Sequence, residues 1–250
     1  MKLFMFTMHR TGSMAQHMLT RYMARKLGLP LISPNGGDAL VPLRQLHQQR
    51  TNLQFPDAFL CGPLRGFIDF PVLGASQKIL QVRDPRDVLV SMFFSYCYSH
   101  AGEIPGNTGY RKEVADLGID WFVRNVGASE KIIGDYGTGG HITDLFGTVK
   151  QRYQTYINQL MPKSGITLLK YEDMALRPEH YVRQVKAIHP NLDANEILQI
   201  VAPGKDSSQE DKWAHNRKGS PGDYREKLRP ETIEFLNDEY GGILEYFGYA

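Results

Sequence analysis

Cysteine is scarce in this sequence. Only Cys61 and Cys97 occur in 250 residues, too few for a disulfide framework, and no CxxC spacing suggests a zinc module. Both thiols are expected to be reduced and buried. No apolar run approaches the roughly 18 residues that a membrane-spanning helix needs. No charged start, apolar run and small-residue cleavage site precedes the first strand-like segment. The expectation is therefore a cytoplasmic protein without a membrane span. An excess of charge of one sign is also lacking: 29 Lys and Arg stand against 27 Asp and Glu, a net +2. A global field for nucleic acid is thereby excluded, so any anion site must come from local placement of Arg and Lys. A Walker A loop, GxxxxGK[ST], is missing as well, which weighs against an ATP or GTP phosphotransferase. No metal-ligand cluster stands out, and no metal is expected.

What is present reads as a folded α/β protein. Hydrophobic residues make up 42% and charged residues 22%, the balance of a globular chain, and the length suits one large domain. Leu3 to Thr7 reads as a strand. After a loop, Met14, Met18, Leu19, Tyr22, Met23 and Leu27 recur at helical spacing, up to Gly28 and Pro30. Further strands are predicted at Ala58–Cys61, Lys78–Arg83 and Ile166–Tyr171. Further helices are predicted at 41–50, after Asp84-Pro85, at 121–133, 142–160, 178–188 and 195–201, and at 231–240. Residues 102–118, 134–140 and 203–212 read as loops. Strands alternating with helices imply a central parallel sheet flanked by helices. With no repeat, low-complexity tract or linker, residues 1–250 are expected to form a single domain.

Three segments suit anion binding. In Arg10-Thr11-Gly12-Ser13-Met14, a strand passes into a helix whose N-terminal N–H groups attract anions. Gly12 allows close backbone approach, Thr11 and Ser13 add hydroxyl donors, and Arg10 adds a permanent charge. An ordinary capped turn is the plainer reading of the same residues. Arg83 ends a strand, and Ser91 lies two turns into the next helix, an arrangement that suits a phosphate clamp. The alternative is a surface ion pair of Arg83 with Asp84 or Asp87. His215 to Tyr224 contains Arg217, Lys218 and Gly219 in a loop able to wrap an anion, or a solvated basic turn.

Together the segments resemble, in order and position, the signatures of the cytosolic sulfotransferases, which use 3′-phosphoadenosine-5′-phosphosulfate (PAPS) and release PAP. Arg10-Thr11-Gly12-Ser13 resembles that family's 5′-phosphosulfate loop. Val82 to Ser91 resembles its 3′-phosphate motif, and Arg217 to Tyr224 its C-terminal R-K-G-x-x-G-D-[WY] segment. Leu169-Lys170-Tyr171-Glu172-Asp173-Met174 resembles its strand ending in Y-E-D-M. The resemblance implies a nucleotide-kinase-like sulfotransferase fold. It also implies transfer of a sulfuryl group to a hydroxyl or amine of a small-molecule acceptor. It gives Arg10 the bridging oxygen and the backbone of Thr11, Gly12, Ser13 and Met14 the 5′-phosphate. Arg83, Ser91, Arg217, Lys218 and Gly219 take the 3′-phosphate, and Tyr171 approaches the adenine.

Three departures stand out. Ala15 occupies the place of the adenine-stacking Trp, for which Trp213 is a possible substitute. Cys61 stands where the T-H-x-P histidine is expected. No dimerisation pattern is recognisable in 225–234. The base that activates an alcohol acceptor is therefore open. Asp38, which follows the second strand, is one candidate, and Cys61, His17, His47 and His100 are others. Two rival functions remain: a P-loop-type kinase, which would bind ATP, and a non-catalytic PAP-binding protein.

Overall fold

The structure is a computed structural model that describes residues 1–34, 39–40, 42–99, 108–125, 146–201 and 220–250. Asp38, His100, Trp213, Arg217, Lys218 and Gly219 lie outside these residues, as do the predicted loops at 134–140 and 203–212.

Lys2–Phe6 (β1) is apolar on both faces, and its last four residues are buried, as a central parallel strand requires. Leu31–Ser33 (β2), Ala39–Leu40 (β3), Phe59–Leu64 (β4), Gln77–Val82 (β5) and Ile166–Lys170 (β6) complete a six-stranded sheet of order β3-β2-β4-β1-β5-β6. Every pairing is parallel, as the alternation of strands and helices predicts. The α-helices of the described residues are, in chain order, α1 (Ser13–Leu27), α2 (Leu43–Gln48), α3 (Pro85–Phe94), α4 (Thr108–Leu117), α5 (Ile119–Asn125), α6 (Val149–Thr155), α7 (Tyr171–Leu176), α8 (Pro178–Lys186), α9 (Ala194–Val201), α10 (Tyr224–Lys227) and α11 (Pro230–Phe247). None is long and apolar enough to cross a membrane.

The chain divides into two compact units, Met1–Arg83 with Thr155–Lys205 and Asp84–Gln154 with Asp206–Ala250. The first holds the sheet. On one face Leu3 and Met5 of β1 pack with Leu19, Tyr22 and Met23 of α1 and with Tyr181, Val182 and Val185 of α8. On the other, Phe4 meets Phe70 at 5.3 Å, Phe59 at 5.2 Å and Phe55 at 5.6 Å between ring centroids. This alternation follows from the two-residue period of a strand. Phe6 is paired with Leu64 of β4 and Leu80 of β5, so the segments that follow β1, β4 and β5 emerge at the same end of the sheet.

Several boundaries differ from the sequence reading. Thr108–Leu117, predicted as part of a loop, is helical. Val114 is fully buried on it, and Gly118, at φ 87°, ends it. β4 runs past Cys61 through a cis Gly62–Pro63 peptide to Leu64. The last helix, predicted to end at Tyr240, continues through Gly241 and Gly242 to Phe247. Leu236, Tyr240, Ile243, Leu244 and Phe247 form one buried stripe, which outweighs the cost of about 1 kcal/mol per helical glycine.

Candidate functional site

The turn between β1 and α1 is tied down from inside. Thr11 is fully buried; its hydroxyl donates to Met8 O at 2.8 Å, lies 2.7 Å from the Thr7 hydroxyl and accepts from Met8 N at 3.2 Å. The hydroxyl expected to face an anion is therefore used to close the turn, a correction to the sequence reading. Tyr156 donates to Thr7 O at 2.6 Å and holds the entry to the turn. Arg10 has φ 67°, the positive-φ non-glycine residue among those described.

Gly12 caps α1 in the left-handed conformation, at φ 81° and ψ 32°, with no side-chain cap. The first intrahelical bond runs from Gln16 N to Gly12 O at 3.1 Å. An N-terminus without a side-chain cap turns its leading N–H groups toward whatever lies in front of the helix. A Cβ on Gly12 would come 3.0 Å from Gln81 Nε2, from Met174 Cε and from Tyr171 Cδ2. Glycine is thus needed here for φ and for space.

The wall behind Gly12 is a polar network that sequence reading passed over. Gln81, on β5 and fully buried, donates through Nε2 to Thr11 O. Its Oε1 accepts from Gln16 Nε2 and, at 2.6 Å, from the Tyr181 hydroxyl. Burial pushes the Tyr181 phenol further from ionising. A glutamine inside the strand Lys78-Ile79-Leu80-Gln81-Val82 was the available signal, because a buried polar group requires partners.

Arg83, one residue past β5, reaches this turn. Its Nη1 donates to Arg10 O at 3.2 Å, and its guanidinium lies 4.4 Å above the Tyr171 ring. Arg83 and Tyr171 are both buried, at 7% and 9% exposure, so the cation–π contact is largely shielded from water. Sequence-distant Arg10, Gly12, Arg83 and Tyr171 thus meet within one unit, at the carboxyl ends of parallel strands, where such sheets bind ligands.

In the second unit Ser91 is half-buried on α3. Asp84 caps that helix, accepting from Arg86 N at 2.9 Å, and forms a 2.7 Å ion pair with the Arg86 guanidinium. Arg86 also donates to Asn237 and to Tyr249 O, each at 2.7 Å. Asp87, fully buried, accepts from Gly222 N at 2.6 Å and Tyr224 N at 3.0 Å. The end of the third sequence segment is therefore anchored to the start of α3.

Among the base candidates, Cys61 is fully buried in β4. Desolvation there pushes its thiol well above the ordinary range, so it is an inert core thiol. His17 and His47 are half-buried, and burial lowers the pKa of each, assisted by Arg21 and Arg65 at His17 and by Arg50 at His47. Among the described residues, no group of three or more His, Cys, Asp or Glu is placed to hold a metal ion.

Residues 74–187 match the family model described as the sulfotransferase domain, a span that includes Arg83, Ser91 and Tyr171 but neither the Arg10 turn nor the Arg217 segment. No curated protein matches the chain in sequence. Among solved structures, the mouse sulfotransferase SULT7A1 complexed with PAP superposes with a TM-score of 0.55 at 15% identity, over 100% of this chain and 89% of that one. Retinol dehydratase, in complex with androsterone and the inactive cofactor PAP, gives a TM-score of 0.47 at 13% identity over 97% of this chain and 80% of its own. The chain thus shares the fold of the sulfotransferase SULT7A1, and its residues 74–187 match the sulfotransferase domain model.

Proposed function

We propose that this protein transfers a sulfuryl group from PAPS to a hydroxyl or amine of a small-molecule acceptor. The observation that carries the reading is the meeting of the Arg83 guanidinium and the Tyr171 ring at the Gly12 turn. A nucleotide with anionic groups at both ends needs two cationic grips, and PAPS differs from ATP in carrying a 3′-phosphate and a 5′-phosphosulfate in place of the triphosphate. Arg83 takes the 3′-phosphate and Tyr171 approaches the adenine. The backbone of Thr11, Gly12, Ser13 and Met14, at the N-terminus of α1, receives the 5′-phosphate. Ser91, Arg217, Lys218 and Gly219 keep the 3′-phosphate role implied by their motifs. The shared fold with SULT7A1, which is complexed with PAP, agrees with this choice of donor.

Sulfuryl transfer, like phosphoryl transfer, is catalysed mainly by positioning and charge stabilisation. As the S–O bond breaks, negative charge grows on the bridging oxygen. Arg10 stabilises that oxygen electrostatically, since a guanidinium stays protonated and cannot act as an acid. The proton of the acceptor hydroxyl goes to a base for which Asp38 is our candidate.

Thermal-shift titration with PAP, PAPS, ATP and GDP tests the donor, and transfer of labelled sulfate to phenols, sugars and lipids tests the reaction. PAP and PAPS are expected to stabilise the protein without added metal. Stabilisation by ATP with Mg²⁺ alone would point to a kinase. PAP binding with no transfer to any acceptor would point to a non-catalytic PAP-binding protein.

A further inference from the structure

Arg65 follows the last residue of β4, and Leu64 O accepts from Thr7 N at 2.8 Å, so Arg65 stands beside the turn that carries Arg10. Its Nε is buried and has no hydrogen-bond partner, and burial disfavours its charge. His17, one turn into α1, has a buried Nδ1 that is likewise without a partner. The charges of Arg21 and Arg65 both act on its ring. Among the described residues, no carboxylate pairs with Arg65, His17 or Arg21. α1 itself, SMAQHMLTRYMARKL, contains no acidic residue, not even in its first turn, where the helix dipole favours one.

A partly buried guanidinium with no counter-charge is costly unless a ligand supplies one. The donor's anionic groups already have receivers in the α1 N-terminus, Arg10 and Arg83. Arg21 lies eight residues beyond Ser13, about 12 Å along the helix axis, so the positive charge extends from the turn away from those receivers. We propose that Arg65 and His17 bind an acidic group carried by the acceptor. The preferred acceptors are then hydroxyl compounds that also bear a carboxylate, sulfate or phosphate. Arg65 supplies the charge with two-pronged donor geometry, and the His17 ring supplies a second hydrogen-bonding group. The identification of the bound molecule as an acceptor rests on the sulfotransferase reading above.

The test uses two matched phenols, 4-hydroxyphenylacetate and 4-methylphenol, added to the full chain with and without PAP. Binding is followed by NMR of the His17 ring and, where transfer occurs, by KM. The acid is expected to shift the His17 resonances and the neutral phenol to leave them in place. Arg65→Gln should weaken the acid about 10- to 100-fold, the loss of one charge-assisted hydrogen-bonded contact, and leave the neutral phenol and PAP unchanged. Arg65→Lys should retain part of the acid's affinity. The variants are compared only after thermal melting shows them folded. Equal binding of the acid by wild type and Arg65→Gln would overturn the proposal. So would a Gln variant that binds PAP normally but PAPS weakly, because Arg65 would then belong to the donor's sulfuryl group. If the wild type binds no PAP, the sulfotransferase reading fails, while a His17 response to the acid would still support an anion site at Arg65.

Discussion

Replacing Gly12 with alanine separates two physical costs that the structure assigns to one position. Placing a Cβ on a left-handed residue costs about 1–2 kcal/mol. At Gly12 the new methyl would also press on Gln81 Nε2, Met174 Cε and Tyr171 Cδ2, each at 3.0 Å. Met174 has a flexible thioether end and can yield. Gln81 is held by three hydrogen-bond partners and Tyr171 lies under the Arg83 guanidinium, so neither moves without loss; overpacking of this kind costs about 1–3 kcal/mol. The sum is about 2–5 kcal/mol. Gly28, the C-terminal cap of the same helix, provides the control: its φ is 63°, and a Cβ there meets nothing within 4 Å. Gly28→Ala should therefore show only the conformational cost. Unfolding free energies of the two variants from urea titration, at matched m-values, should differ by about 1–3 kcal/mol. Stabilisation by PAP should vanish in Gly12→Ala and persist in Gly28→Ala. Equal destabilisation together with equal PAP binding would refute the tight approach of Gly12 to Gln81 and Tyr171.

Four further outcomes are expected. Arg10→Ala should lower kcat about 10²- to 10³-fold, as for a lost transition-state donor, while PAP affinity by calorimetry changes only a few-fold. Gln81→Leu leaves Thr11 O and the buried Tyr181 and Gln16 groups short of partners, and should cost about 2–4 kcal/mol in chemical denaturation. Asp87→Ala removes two charge-assisted bonds to Gly222 N and Tyr224 N; amide hydrogen exchange should accelerate at those two positions, with a stability loss of about 2–4 kcal/mol. The folded-state pKa of His17 is depressed below 6.5, first by burial and then by Arg21 and Arg65, so the unfolded chain binds the proton more readily. The stability contributed by the neutral ring is then present above the ordinary value and lost as pH falls from about 6.5 through the folded value. Denaturation profiles of wild type and His17→Gln should diverge in slope over that range, and parallel profiles would remove His17 as the source.

Much of the fold was legible because its signals are local. The alternation of apolar strands with helix-spaced stripes determined a parallel sheet with helices, and the element positions of β1, α1, β5, β6 and α8 follow directly from it. Composition misled where a local cost was outweighed by burial. Glycines at 241 and 242 and the polar stretch around Thr108 looked like interruptions, yet Ile243, Leu244, Phe247 and Val114 are buried and carry the helices through. The motif residues Arg10, Gly12, Arg83 and Tyr171 were visible one segment at a time, because each stands at a strand end or a helix start. Their meeting was decided only by tertiary structure, since strand order brings β1, β5 and β6 side by side although they are far apart in the chain. The same holds for the Gln81 network behind the turn, whose partners Thr11 and Tyr181 lie 70 and 100 residues away, and a linear pattern carries no information about partners so distant. The inward hydroxyl of Thr11 is local, bonded to Thr7 and Met8, but its direction was set by the fold of the turn.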